Sequence, residues 1–183
     1  MNKKDIIFAI ICGVSVAWIM TDLLGKIGLI FFIIFPALSV LGLWTTECLG
    51  KKYPFIKQSG RFFLVGSFAD VIDIKIFQFL FFIAPFSLFF KAISFLVATF
   101  VKYWQNKYWA FEKNDKDGIK KEAFQFFAIT LIGLGINVVS FYYFGKINVG
   151  LPEHIWQELC IIFSALVAAL WNFLGYKFVV FKK

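Results

Sequence analysis

The stretch RFFLVGSFADVID, residues 61–73, decides the fold because it recurs as QFFAITLIGLGIN at residues 125–137. A second pair follows in the same order, with KYWQNKYWAF at residues 102–111 matching NFLGYKFVVF at residues 172–181. The offset grows from 64 to 70 residues between the two pairs, which fits a connecting loop that is longer in the second copy. Each copy holds two apolar segments, so the sequence predicts a tandem repeat of a helical pair with both copies inserted in the same direction.

The apolar residues around these matches fall in blocks long enough to cross about 30 Å of hydrocarbon. The 183 residues are 61% hydrophobic, with a mean hydropathy of +0.80, which is too apolar for a soluble domain of this length. Six spans are predicted, at residues 6–22, 27–46, 61–83, 87–108, 122–144 and 157–178. The predicted fold class is all-α, a polytopic transmembrane helix bundle with two parallel two-helix repeats and an N-terminal helical hairpin.

Two domains are predicted from this pattern. Residues 1–56 form an N-terminal two-helix transmembrane hairpin, and residues 57–183 form a four-helix transmembrane domain. The repeats within the second domain occupy residues 57–113 and 121–183.

The basic residues concentrate on one predicted side of the membrane. If both termini are cytoplasmic, 15 of the 19 basic residues lie inside: Lys3, Lys4, Lys51, Lys52, Lys57, Arg61, Lys102, Lys107, Lys113, Lys116, Lys120, Lys121, Lys177, Lys182 and Lys183. Positive charge collects in cytoplasmic loops, so we expect a multi-pass membrane protein with both ends inside. The same rule accounts for the net charge of +8, and no nucleic-acid partner is expected.

Small and polar residues recur every three or four positions in the repeated spans and therefore share helix faces. In the first copy these faces are Gly66, Ala69, Asp70 and Asp73 on the third span and Lys91, Ser94, Ala98, Lys102 and Asn106 on the fourth. In the second copy they are Thr130, Gly133, Leu134 and Asn137 on the fifth span and Ile161, Ser164, Ala168, Asn172 and Tyr176 on the sixth. Polar side chains at membrane depth must avoid lipid, so we expect the four faces to turn toward one another.

The first copy is charged where the second is neutral, since Asp73 matches Asn137 and Lys102 matches Asn172. A charge exposed to lipid costs at least about 2.5 kcal/mol, so these groups need a partner or a polar cavity. Two interpretations remain open, a structural network of aspartates with a lysine and a path for a charged ligand. A small cation exporter centred on Asp73 is a further alternative, which the lysines on the facing stripe disfavour.

Motifs for catalysis are missing. The chain has no phosphate-binding GxxxxGK[ST] loop, and its one histidine, His154, is predicted to lie in a loop. Cys12, Cys48 and Cys160 lack the paired spacing of a metal or disulfide set. The sequence predicts no enzymatic activity, no cofactor and no metal site.

The repeated motifs resemble a known family. RFFLVGSFADVID, followed by a second span that ends in N-K-x-W-x-F, is similar to the GtrA/GtcA-like membrane proteins over about residues 57–183. The resemblance implies flipping of a polyprenyl-phosphate-linked monosaccharide for glycosylation of cell-surface polysaccharide or teichoic acid. An alternative is a non-catalytic membrane subunit that recruits or stabilises a glycosyltransferase, with the N-terminal hairpin as the docking element.

The ligand of this expected activity is a polyprenyl-phosphate sugar lipid held within the bilayer. The expected lipid-phosphate and sugar-binding residues are Asp73, Lys102, Asn106, Lys107, Asn137, Asn172 and Lys177. A second tier comprises Asp70, Lys91, Ser94, Ser164 and Trp109. The sequence departs from the family pattern at Lys102, where asparagine is frequent, and at Tyr176, which replaces the second asparagine of the last motif.

Overall fold

The computed structural model describes residues 1–83, 87–115, 117–147, 150 and 152–182, and no β-strand occurs within these ranges. The helices are α1 (Lys3–Leu24), α2 (Phe31–Gly50), α3 (Pro54–Ile83), α4 (Ser87–Gln105), α5 (Ile119–Gly145) and α6 (Glu153–Gly175). A 3₁₀ segment, Gly25–Ile30, joins α1 to α2. The π-helical turns Asn106–Ala110 and Tyr176–Val180 extend α4 and α6. The chain divides into two compact units, Met1–Asn114 and Asp115–Lys183.

All six predicted spans coincide with helices, and the prediction of a helical membrane bundle is confirmed. Among the described residues, three segments are long and apolar enough to cross a membrane by length and composition: Lys3–Gly50, Ile119–Gly145 and Leu159–Val180. The first of them contains α1, the 3₁₀ segment and α2. That α3 and α4 also cross the membrane stays a prediction. One placement was wrong, because α6 begins at Glu153 and His154 therefore lies in its first turn and not in a loop.

In the first unit, α1 and α2 form a hairpin that packs against α3. The hairpin closes tightly at Gly13, where an added Cβ would lie 2.5 Å from the Pro36 backbone, so only glycine fits this contact. Two ion pairs connect α1 to α3, Asp5 with Arg61 and Asp22 with Lys75. Because the earlier residue of α1 pairs with the earlier residue of α3, the two helices run in the same direction.

In the second unit, α5 and α6 form an antiparallel hairpin. This unit contains no counterpart of the α1–α2 hairpin within its described residues. Gly133 allows close approach, since an added Cβ there would lie 2.3 Å from the Asn172 Oδ1 atom. The Trp171 indole N–H donates to the Ile129 carbonyl at 3.2 Å. This hydrogen bond connects the two helices one turn of α5 before Gly133.

The closing motifs of the two repeats have the same backbone structure. In the first, the Phe111 N–H donates to the Asn106 carbonyl at 2.9 Å; in the second, the Phe181 N–H donates to the Tyr176 carbonyl at 2.7 Å. Both phenylalanines are buried. The π-helical turns are 70 residues apart, which is the offset of the sequence match. The duplicated sequence therefore folds alike in each unit.

Candidate functional site

The polar faces of α3 and α4 meet at Asp73. The Ser94 hydroxyl donates to Asp73 Oδ1 at 2.5 Å, and the Lys91 ammonium lies 2.5 Å from Asp73 Oδ2. Ser94 is fully buried, whereas half of the Lys91 side chain is exposed. The structure thus brings these three predicted residues together and gives the Asp73 carboxylate a cation and a hydroxyl as partners.

Lys102 lies on the same face of α4 but is not paired with Asp73. Within the described ranges its ammonium has no hydrogen bond and no carboxylate within 4.0 Å. Lys102 interacts electrostatically with Asp70, and Asp70 also interacts electrostatically with Asp73 and Lys91. Lys102 follows Lys91 by three helical turns, roughly 16 Å along α4, so the two lysines act at separate points on this face. Lys102 is therefore a half-buried lysine whose ammonium group forms no salt bridge with a described carboxylate.

Two unpartnered amide oxygens lie within one turn of Lys102. The Asn106 amide donates to the Lys102 carbonyl at 2.8 Å, which orients its side chain. In the described part of the structure, Asn106 Oδ1 and Gln105 Oε1 are buried and accept no hydrogen bond. Buried carbonyl oxygens normally have a donor, so these two call for an explanation. We refer to Lys102, Gln105 and Asn106 as the Lys102 group.

The two predicted lysines of the π-helical turns differ in exposure. Lys107 is fully buried, and its carbonyl accepts from the Lys113 N–H at 2.8 Å. Lys177 is half-buried, with its ammonium 5.7 Å from the centre of the Phe178 ring. The Lys107 ammonium is thus closed off from the surface in this conformation, whereas Lys177 is partly accessible.

The corresponding face of the second unit is neutral. The Tyr176 and Thr130 hydroxyls lie 2.6 Å apart, and the Tyr176 ring stacks on Phe126 at 4.1 Å between centroids. Asn172 is buried against Gly133, and its Oδ1 atom accepts no hydrogen bond from a described residue. Of the remaining predicted residues, Ser164 is buried and donates to a carbonyl of its own helix, and Asn137 is half-buried.

A cluster that sequence reasoning missed surrounds Arg61, the one arginine in the chain. Its Nε and Nη2 atoms donate to Glu47 at 2.9 and 2.6 Å, and Nη2 also reaches Asp5 at 3.3 Å. Its Nη1 atom donates to the Trp109 carbonyl at 2.9 Å and to Glu112 at 2.7 Å. These five contacts match the five N–H bonds of a guanidinium group. We call Arg61, Asp5, Glu47, Trp109 and Glu112 the Arg61 cluster.

The Arg61 cluster is buried on one side and open on the other. Arg61 is only 5% exposed, while nearly half of the Glu112 side chain is accessible and also bonds to Lys57 at 2.8 Å. The hydrogen bond from Lys57 and the neighbouring Arg61 charge lower the pKa of the Glu112 carboxyl. The sequence did contain a signal for this cluster: one arginine lies at the end of an apolar segment, and single acidic residues lie at the ends of others. Arginine is well suited to buried ion pairs, so this pattern could have predicted one.

Trp109 belongs to this cluster by its side chain as well. Its indole N–H donates to Asp5 Oδ1 at 2.8 Å, and its ring lies 4.3 Å from the Phe8 ring. The polar edge of the indole is thus engaged by α1. Its predicted role in sugar binding stays a prediction, and the contacts favour a supporting role.

The sequence of residues 61–181 matches the family model described as GtrA/DPMS, transmembrane domain. The matched segment begins at Arg61 and ends at Phe181, and so contains both repeats and both π-helical turns. The chain belongs to this family. No curated protein and no solved structure matches it. The resemblance inferred from the repeated motifs is confirmed, and the chain is a multi-pass membrane protein.

Proposed function

We propose that this GtrA/DPMS-type protein moves a polyprenyl-phosphate-linked monosaccharide across the plasma membrane, with both of its termini in the cytoplasm. The lipid would serve glycosylation of a cell-surface polysaccharide or teichoic acid. The protein itself performs no bond chemistry in this proposal and needs no cofactor. The observation that carries the proposal is the Lys102 ammonium, a half-buried cation without an ion-pair partner among the described residues.

The Lys102 group suits both parts of such a headgroup. A phosphate attracts an ammonium as a point charge, and charge-assisted hydrogen bonds are roughly twice as strong as neutral ones. Sugar hydroxyls are donors, and the unpartnered oxygens of Gln105 and Asn106 are acceptors. A desolvated hydroxyl without a partner costs several kcal/mol, so a polar face at membrane depth lowers the barrier that a sugar meets in hydrocarbon.

Asp73, with its partners Ser94 and Lys91, would then lie farther along the path of the headgroup. Lys91 compensates the Asp73 carboxylate in the structure and is half exposed, so it is free to exchange this carboxylate for a phosphate. Asp70 extends the proposed polar surface of the first repeat, and Asn137 and Asn172 belong to the proposed polar surface of the second repeat. Lys91 and Lys102 lie three turns apart on α4, and the Asp70 carboxylate on α3 interacts electrostatically with both. In this proposal the carboxylate prevents a passing anion from being bound too tightly by the lysines.

The test is transport by purified protein in lipid vesicles. We expect Lys102→Ala to slow the transfer of a fluorescent polyprenyl-phosphate sugar between leaflets by about tenfold or more, which corresponds to about 1.4 kcal/mol. Lys146→Ala is the matched control, because it removes the same charge at the end of α5 and outside the proposed site. Equal transfer by wild type and Lys102→Ala would exclude Lys102 from the transport path. Transfer no faster than in protein-free vesicles would exclude the function itself.

A non-catalytic subunit that recruits or stabilises a glycosyltransferase is the second candidate. The observation in its favour is an apolar groove of about 440 Å³ on the N-terminal hairpin, lined by Met1, Ile10, Pro36, Ala37, Val40, Leu41 and Trp44. A groove of this kind suits a transmembrane helix of a partner. Val40→Trp would fill it; loss of glycosyltransferase co-purification with unchanged lipid transfer would assign this groove to docking.

A further inference from the structure

We infer that Asp5 and Arg61 are positioning residues for the anion site. Through Trp109 they hold the π-helical turn Asn106–Ala110 and thereby fix the Lys102 group that precedes and begins it. This inference rests on the proposed function, since it names the device that sets the affinity of the same site for an anionic lipid headgroup.

The π-helical turn requires support from outside. A π-helical turn holds one residue more than an α-helical turn and is rare, and it is found preferentially at functional sites. Here the Phe111 N–H reaches back five residues to the Asn106 carbonyl at 2.9 Å. If the turn relaxed to α-helical bonding, Asn106 and Lys107 would rotate relative to Lys102. The orientation of the Lys102 group therefore depends on whatever keeps the turn open.

Trp109 is held by contacts to both its backbone and its side chain. Arg61 donates to its carbonyl at 2.9 Å, and Asp5 accepts from its indole N–H at 2.8 Å. The Phe8 ring packs on the indole ring at 4.3 Å. Both the backbone and the side chain of Trp109, three residues after Asn106, are thus attached to α1 and α3.

Arg61 is itself immobilised. Its donors all have acceptors, and two of these, Asp5 and Glu47, lie on α1 and α2. Glu112, which follows the turn, has a φ of 51°, a left-handed backbone conformation that non-glycine residues adopt at a cost. The Glu112 carboxylate is held there by Arg61 and Lys57. A lysine at position 61 would supply only three donors and no planar fork.

The second repeat has a different residue at the position that matches Arg61. Gln125 stands in the place of Arg61, and the turn Tyr176–Val180 is held by the Tyr176–Thr130 hydroxyl contact and the stacking of Tyr176 on Phe126. The first turn is thus contacted by the charged side chain of Arg61, whereas the contacts described for the second turn are a hydroxyl pair and a ring stack. Asp5 and Glu47 precede the family domain, so the N-terminal hairpin supplies part of this support.

The experiment compares two variants that each break one ion pair between α1 and α3. Asp5→Ala removes the acceptor for Trp109 and Arg61, whereas Asp22→Ala breaks the pair with Lys75 and leaves the π-helical turn untouched. Affinities for farnesyl phosphate and for farnesol, its neutral counterpart, are measured on full-length protein in nanodiscs and normalised to the folded fraction. Amide hydrogen exchange at Phe111 and Lys113 reports the state of the turn.

We expect Asp5→Ala to weaken farnesyl phosphate binding on the order of 10- to 100-fold, the effect that loss of a supporting partner has at metal sites, with farnesol binding unchanged. Exchange at Phe111 and Lys113 should accelerate only in this variant. Trp109→Phe, which retains an aromatic ring and leaves the Asp5 carboxylate in place but removes the indole N–H, should act in the same direction. Unchanged farnesyl phosphate affinity in Asp5→Ala, or equal losses in Asp5→Ala and Asp22→Ala, would overturn the inference alone. A wild-type protein that does not prefer farnesyl phosphate to farnesol would overturn the proposed function as well.

Discussion

At the scale of single residues, Arg61 shows how a charge is tolerated in so apolar a chain. Its three carboxylate neighbours and one carbonyl use every N–H of the guanidinium, so burial leaves no donor unsatisfied. Such an arrangement is weak evidence for net stabilisation, because desolvation offsets much of the attraction. Removing one side of it is a different matter, since the opposite charges then remain buried without compensation.

Arg61→Leu is therefore expected to destabilise the folded protein by about 3–5 kcal/mol, because the buried Asp5 and the half-buried Glu47 carboxylates would lose their cation. Thermal or denaturant unfolding in detergent measures the effect. Lys57→Met is the control, since it breaks a pair with the partly exposed Glu112 and should cost about 0–1 kcal/mol. Equal losses in the two variants would contradict the view that burial makes the Arg61 cluster decisive.

Glu112 gives the cluster a pH dependence with a defined sign. Its pKa is lowered in the folded state from an ordinary value of 4.5, so the unfolded chain takes up the proton first as the pH falls. The stabilisation from Glu112 is complete above the ordinary pKa and disappears as the pH falls through the lowered value. Unfolding measured between about pH 6 and about pH 3 should show a smaller loss of stability in Glu112→Gln than in wild type. Parallel curves for the two proteins would refute this assignment.

At the scale of helices, the features that could be predicted from the sequence are those that depend on the spacing of apolar and polar residues. The six helices and the polar stripes follow from runs of apolar residues and from spacings of three and four. Asp73 with Ser94 and Thr130 with Tyr176 show that the stripes within each pair of helices do meet. The π-helical turns and the Arg61 cluster were not predictable in this way. Asp5 and Arg61 are 56 residues apart, and no local pattern reports such a contact.

Close helix contacts can be tested with two glycines of α5. Gly133→Ala would place a Cβ 2.3 Å from Asn172 Oδ1, so the amide must move, and overpacking of this kind costs about 1–3 kcal/mol. Gly135→Ala is the matched control on the same helix, because no atom lies within 4 Å of its added Cβ and alanine is the better helix former. Unfolding of the second unit measures both. A Gly133→Ala protein as stable as Gly135→Ala would mean that α5 and α6 do not pack this closely.

At the scale of the whole molecule, the two repeats have similar backbones but different electrostatic surroundings. The first repeat combines Asp70, Asp73, Lys91 and Lys102 with a hairpin that brings two further carboxylates to Arg61. The second has hydroxyl and amide groups at the matching places and a glutamine in the place of the arginine. Burial of Arg61 therefore depends on the N-terminal hairpin, because Asp5 and Glu47 of the hairpin neutralise its charge.

This dependence predicts the outcome of removing the hairpin. Deletion of residues 1–56 should strongly destabilise the remaining chain, since Arg61 would retain only Glu112 among its three carboxylates. Combining the deletion with Arg61→Gln, the residue found in the second repeat, should recover part of the loss, although the same substitution is destabilising in the full chain. The sign change is the diagnostic, because coupled residues give non-additive effects and independent ones do not. Thermal unfolding of the four proteins completes the cycle. Additive losses would show that the hairpin stabilises the first repeat through its apolar contacts and that Arg61 can stand without it.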